Sequence, residues 1–238
     1  MMLFRSAAFA LWFALVTVII YLGTLPALLL PRIVVVHASR FWSRATFFGL
    51  KIIAGVDYEI RGQVPQGAVL IAAKHMSMWD TMGLYLIVWD PAVVLKRELL
   101  RIPFYGWYLR KAGIIPIERS AGASAVRQMI AKAKNVLATG RPILIFPEGT
   151  RKKPGAAPDY KPGVAGLYSA LGVACVPVAL NSGLFWTGPQ GFMKKPGHIV
   201  LEFLEPISPG LRRAEFMRVL ERRIETATAR LLAQGSKR

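Results

Sequence analysis

The chain has 238 residues, 54% of them hydrophobic, and 31 Lys and Arg against 13 Asp and Glu give it a net charge of +18. That length holds one catalytic domain with a sizeable core and a short accessory segment, and excludes two full domains. A mean hydropathy of +0.40 excludes a chain that crosses the bilayer many times, and the single cysteine, Cys175, excludes an internal disulfide and a Cys-rich metal site and fits a reducing compartment.

The positive charge asks for an anionic partner. Nucleic acid is not expected, because the basic residues are scattered in pairs such as Lys96-Arg97, Arg110-Lys111 and Arg222-Arg223, with no zinc, RNP or helix-turn-helix pattern. Beside an apolar N-terminus, an anionic membrane is the expected partner. Positions 6 to 31 hold no charged residue, enough for the ~20 residues that cross a hydrocarbon core. Residues 1–54 are therefore read as an N-terminal membrane-anchoring helical segment, and 55–238 as the catalytic domain. Only Arg5 precedes the run, while Arg32, Arg40, Arg44 and Lys51 follow it, so a single span would leave the catalytic domain on the cytoplasmic side of the inner membrane. Gly23-Thr-Leu-Pro26 and Leu30-Pro31 interrupt the run, and a helical hairpin dipping into one leaflet also fits.

Further along, residues 57–62 alternate like a strand, and 68–73 form a short apolar run ending in Lys74-His75. Residues 78–89 read as a buried helix, which puts His75 at a strand-to-helix turn. Strands are predicted over 92–95, 113–117, 142–146, 174–180 and 198–203. Helices are predicted over 123–138 and 214–232; in the second, Met217, Leu220, Ile224, Ala227 and Leu231 recur at three- and four-residue steps. Strands alternating with helices predict an α/β fold with a central sheet.

Chemistry concentrates in two places. In His75-Met-Ser-Met-Trp-Asp80 a carboxylate five residues past the histidine, near the start of the next helix, can accept from Nδ1–H and leave Nε2 free to take a proton. Ser77 is a candidate N-cap for that helix. This is a general base with no built-in nucleophile, which suits activation of a substrate hydroxyl more than a covalent acyl-enzyme; a bare His-x4-Asp spacing also arises from an interior histidine satisfied by a nearby acid. In Phe146-Pro-Glu-Gly-Thr-Arg151 a loop at a strand end carries Glu148 and Thr150, a tight turn at Gly149, and a guanidinium fork at Arg151 suited to phosphate. Arg119 ends the Gly113–Arg119 stretch in the same way. Val176-Pro-Val178 reads as an apolar wall or an edge strand. His37, His75 and His198 show no ligand spacing, so no metal and no cofactor are expected.

In this order these segments resemble the glycerolipid acyltransferase family, and within it the 1-acyl-glycerol-3-phosphate acyltransferases. His75 and Asp80 match its His-x4-Asp motif, Phe146 to Arg151 its Phe-Pro-Glu-Gly-Thr-Arg motif, Arg119 the end of its Gly-x5-Arg block, and Val176-Pro-Val178 its fourth block. The resemblance implies a mixed sheet flanked by helices. It also implies an acyl thioester donor, either acyl carrier protein or coenzyme A, and a lysophospholipid acceptor whose sn-2 hydroxyl is acylated to give phosphatidic acid. The acceptor phosphate would lie on Arg119 and Arg151, with Lys96 of Lys96-Arg97-Glu98-Leu99 beside it and Glu148 holding a phosphate-site residue or the glycerol hydroxyl. Backbone N–H groups around the His75 turn are the candidate oxyanion donors. Lys74, Pro116 and Glu118 depart from the family's usual Asn, Phe and Asp. Related enzymes for lyso-ornithine lipids and other lysophospholipids share these motifs, so acceptors of that kind are the alternative, and a non-enzymatic membrane-binding protein is a remoter one.

Overall fold

A computed structural model of the chain describes residues 1–118, 122–187 and 191–236. Helices α1 (Met2–Gly23) and α2 (Arg32–Ala54) are joined by a 3-10 turn over Leu25–Leu28 that begins at the Leu-Pro break. They run antiparallel. Trp12 Nε1 donates to the Ala45 carbonyl at 3.0 Å, and nearer the turn Trp42 Nε1 donates to Thr17 Oγ1 at 3.0 Å. Among the described residues α1 is the one helix long and apolar enough to cross a membrane. Both its ends are nonetheless fastened to the rest of the protein. Ser6 Oγ accepts the Lys194 backbone N–H at 2.9 Å and Phe9 meets Trp186 edge-on, while at the other end the Tyr108 hydroxyl donates to the Tyr21 carbonyl at 2.7 Å and contacts Thr24 Oγ1 at 2.8 Å. Between those ends Leu11, Leu15, Val18 and Leu22, one stripe of the helix, stay exposed.

Seven strands form the central sheet: β1 (Val56–Arg61), β2 (Leu70–Ala73), β3 (Ala92–Lys96), β4 (Ile115–Ile117), β5 (Ile143–Ile145), β6 (Cys175–Leu180) and β9 (Gly197–Phe203), in the order β1-β9-β6-β2-β5-β3-β4. From β6 to β4 all neighbours are parallel; β9 is antiparallel to β6 and β1 parallel to β9, so the sheet is mixed. A separate hairpin of β7 (Trp186–Thr187) and β8 (Met193–Lys194) receives the start of α1. Val176-Pro-Val178 lies in an interior strand, not at an edge. The missing N–H of Pro177 falls on the β9 side just before that pairing begins at Val178, which is how a central strand tolerates it.

Alternate residues of β2 feed two cores. Ile71 and Ala73 pack with Phe47 of α2 and Trp79 of α3 (Met78–Ile87), whereas Leu70 and Ala72 pack with Met129 of α5 (Gly122–Leu137), Leu167 of α6 (Gly163–Leu171) and Leu220 of α7 (Arg213–Gly235). With helices on both faces the central strands are apolar throughout and show no alternation. The remaining helix, α4 (Tyr105–Ala112), packs against α2 and the end of α1.

Candidate active site

Strands β2 and β5 are parallel neighbours, yet the chain leaves β2 for α3 on one face and leaves β5 for α6 on the other. A crevice opens at the carboxyl ends of such a pair. His75 and the 146–151 loop both sit there.

Ser77 caps α3, and Asp80, at the third helical position, reaches back in a capping box to accept the Ser77 backbone N–H at 2.8 Å. The same oxygen, Oδ2, accepts the Met76 N–H at 2.6 Å and faces His75 Nδ1 at 3.0 Å. Oδ1 accepts from Ser77 Oγ at 3.1 Å and from the Ser182 hydroxyl. Every partner of this carboxylate is a donor, so Nδ1 carries the ring proton and Nε2 keeps its lone pair. Asp80 has no exposed side-chain surface, whereas the His75 side chain retains 12%, so only the imidazole can meet a substrate. Phe146 stacks on that ring at 4.0 Å and 21° and fixes its plane.

Glu148 is turned the other way. Its Oε1 accepts from Lys74 Nζ at 2.8 Å, and its Oε2 lies 3.5 Å from the His75 backbone nitrogen. Lys74 also donates to Glu225 Oε1 of α7 at 2.8 Å, and that oxygen accepts the Tyr160 hydroxyl at 2.8 Å. Burial pushes the Glu148 carboxyl above its ordinary 4.5 although the Lys74 ammonium pulls against it. Burial and the adjacent Glu225 push the Tyr160 phenol up as well, which keeps it a donor. Of the two roles expected for Glu148, holding a neighbouring residue or the glycerol hydroxyl, the carboxylate here holds a residue, the buried Lys74, which without it would be stranded in a site with 3% exposure.

Past Glu148 the chain turns at Gly149, whose φ of +65° suits glycine and whose N–H donates to the Phe146 carbonyl at 2.9 Å. The Lys152 N–H then donates to the His75 carbonyl at 2.8 Å, locking the two motifs together. Gly149, Thr150 and Arg151 border one cavity with His75, Lys96 and Lys161. Arg119 lies outside the described residues; its neighbour Glu118 accepts from Arg97 at 2.9 Å, which ties the end of β4 to the segment carrying Lys96. Of the N–H groups around the His75 turn, that of Lys74 donates to the Val178 carbonyl and those of Met76 and Ser77 to Asp80. The cavity, about 1610 Å³, runs from His75 past Met82, Tyr85, Tyr108 and Met129 to Phe13 and Tyr21 of α1. Most of its lining is apolar, and Lys96, Arg151 and Lys161 are its cations.

Sequence reasoning did not single out Lys74, Ser182, Tyr160, Lys161 or Glu225 as site residues. Lys74 carried one signal, a lysine closing an apolar strand beside a candidate base. Ser182 carried none.

A family model described as Acyltransferase matches residues 55–181. The chain is 35% identical to the 1-acyl-sn-glycerol-3-phosphate acyltransferase of Pseudomonas aeruginosa over 74% of this chain and 71% of that one, and 28% identical to the lyso-ornithine lipid O-acyltransferase of the same organism over 74% and 75%. Its fold superimposes on the crystal structure of the 1-acyl-sn-glycerophosphate acyltransferase from Thermotoga maritima with a TM-score of 0.81 at 22% identity, covering 97% of this chain and 98% of that one. With these motifs on this sheet, the chain belongs to the acyltransferase family and is an enzyme that transfers an acyl group from a donor to a lysolipid acceptor.

Proposed function

We propose that the protein transfers a fatty acyl chain from an acyl thioester to the sn-2 hydroxyl of 1-acylglycerol-3-phosphate, giving phosphatidic acid. The observation that carries this reading is His75 Nδ1 held on the buried Asp80 at 3.0 Å, with the ring at the junction of an apolar cavity and the cationic group Lys96, Arg151 and Lys161. Nε2 removes the hydroxyl proton as the oxygen attacks the thioester carbonyl. The carbon–sulfur bond then breaks, and the proton on Nε2 passes to the departing thiolate, returning His75 to its starting state. Ser77 and Ser182 are buried and turned to Asp80 and to each other, so neither is presented as an acyl-accepting nucleophile. Arg151, Lys96 and Arg119 would hold the acceptor phosphate and orient the hydroxyl. These cations favour a phosphate-bearing acceptor over a lyso-ornithine lipid.

The anchor is read as monotopic. A helix fastened at both ends to one body lies along that body, so the exposed stripe of α1 would sink into one leaflet without crossing it. Residues 1–54 would then anchor the catalytic part, 55–238, on the cytoplasmic face of the inner membrane, where Lys and Arg meet anionic lipid.

Purified protein in detergent, given lysophosphatidate with acyl-coenzyme A or acyl carrier protein thioester, should form phosphatidic acid. His75→Ala should lower the rate by roughly 10²–10⁴-fold, and Arg151→Ala should raise the KM for lysophosphatidate more than it lowers kcat. Product from a lyso-ornithine acceptor alone would transfer the assignment to that substrate.

A further inference from the structure

Residue Phe104 adopts φ +60° and ψ −62°, one of two non-glycine residues with positive φ among those described. The Tyr105 N–H donates to the Pro103 carbonyl at 2.6 Å across it, which makes a γ-turn of the rare, strained hand. The turn is held from behind by Gly106, where any Cβ would lie 2.2 Å from the Leu100 carbonyl oxygen. This strained backbone does not bury the ring. Phe104 stays 42% exposed and Trp107 46%, packed edge-on at 5.1 Å, with Ile102 exposed beside them. In water a strained turn that displays an aromatic pair is unfavourable on both counts, and such strain persists where the displayed group has a use.

The position says what use. Val18 and Leu22, from the exposed stripe of α1, line the cavity that holds His75 together with Ile102 and Phe104. Tyr21 of α1 packs on Tyr105 and Tyr108 between them. Residues 96 to 111 carry Lys96, Arg97, Arg101, Arg110 and Lys111 against the single acid Glu98, and Arg97 reaches outside the segment to Glu118. Aromatic tips in a cation-rich segment match an anionic leaflet, with rings at the headgroup level and charges on the phosphates.

We propose that residues 102–107 form a second membrane contact, seating Phe104 and Trp107 in the same anionic leaflet as α1, so that the cavity opens sideways between two immersed lips. A single-chain lipid could then slide from the leaflet to His75 without passing through water. The proposal rests on the membrane reading of α1, and the test separates the two. An environment-sensitive dye is attached to full-length protein at Leu15→Cys, Phe104→Cys or Arg218→Cys; native Cys175 is buried and stays unlabelled. Each sample is mixed with phosphatidylglycerol vesicles whose acyl chains carry bromine quenchers. Quenching at positions 15 and 104 but not at 218, on the outer side of α7, is expected. Quenching at 15 with the dye at 104 left in water would overturn the second contact while leaving the anchor intact, as would a response at 104 only to added acyl carrier protein. No quenching at 15 would remove the anchor reading and this inference with it. As a second arm, Trp107→Ser should lower partition into these vesicles about tenfold; partition equal to wild type would count against the contact.

Discussion

Two segments flank His75, the β2–α3 turn and the loop after β5, and each buries a carboxylate. Asp80 is surrounded by neutral donors, two backbone N–H groups, two hydroxyls and the His75 ring. Glu148 is met instead by the ammonium of Lys74, itself shared with Glu225. The first arrangement acts on the imidazole ring and sets its tautomer. The second acts on the backbone on which the ring stands and carries a charge balance that reaches α7. One is chemical and the other positional, and substitutions should separate them.

The largest effect is expected at Asp80. Asp80→Asn would set an amide NH2 among donors and disturb the Nδ1–H tautomer, so kcat should fall on the order of 10³–10⁴-fold. Steady-state rates at saturating acceptor, with circular dichroism to confirm folding, check this. At the other segment the main loss should be stability. Lys74→Met leaves Glu148 buried without its cation and should cost about 3–5 kcal/mol, read as a lower Tm. Adding Glu148→Gln should recover part of that loss, because the stranded charge is gone.

The same segment has a pH signature. The Glu148 carboxyl sits above its ordinary 4.5 in the folded protein, so between those two values the folded state holds more protons than the unfolded one. Its contribution to stability therefore falls as pH rises through that window. Glu148→Gln should remove this decline from a Tm-against-pH curve, and Lys74→Met should extend the window upward. The smallest effect belongs to Ser182→Ala, which removes one of several donors to Asp80. About 1 kcal/mol and a several-fold drop in kcat are expected; an unchanged kcat would reduce Ser182 to packing.

What the sequence made legible follows the same division. The Asp80 side is local: five residues, a cap and a helix start hold most of its hydrogen bonds, so His-x4-Asp at a predicted strand-to-helix turn already described the geometry. The central strands were equally readable, since burial on both faces leaves apolar runs such as 174–180. The Glu148 side is assembled from afar. Lys74 lies 74 residues earlier and Glu225 a further stretch beyond on α7, 151 residues from Lys74, and no local pattern says which way Glu148 points once the strand has ended. Ser182 meets Asp80 across 102 residues. The interior place of β6 was hidden by Pro177, which favours an edge reading unless the late start of its β9 pairing is known. The apolar run at 6–31 promised membrane contact; that α1 doubles back along the protein depends on Ser6, Phe9 and Tyr108, partners that hydropathy does not reveal.

If His75 activates the acceptor hydroxyl directly, no acyl-enzyme forms. The most direct measurement mixes excess enzyme with a single turnover's worth of acyl thioester and follows thiol release by rapid quench, first without acceptor and then with lysophosphatidate. No burst of thiol and no acylated protein by mass spectrometry are expected until lysophosphatidate is added, when thiol and phosphatidic acid should appear together at the same rate. A stoichiometric burst from the donor alone, with the acyl group recovered on the protein, would contradict direct activation.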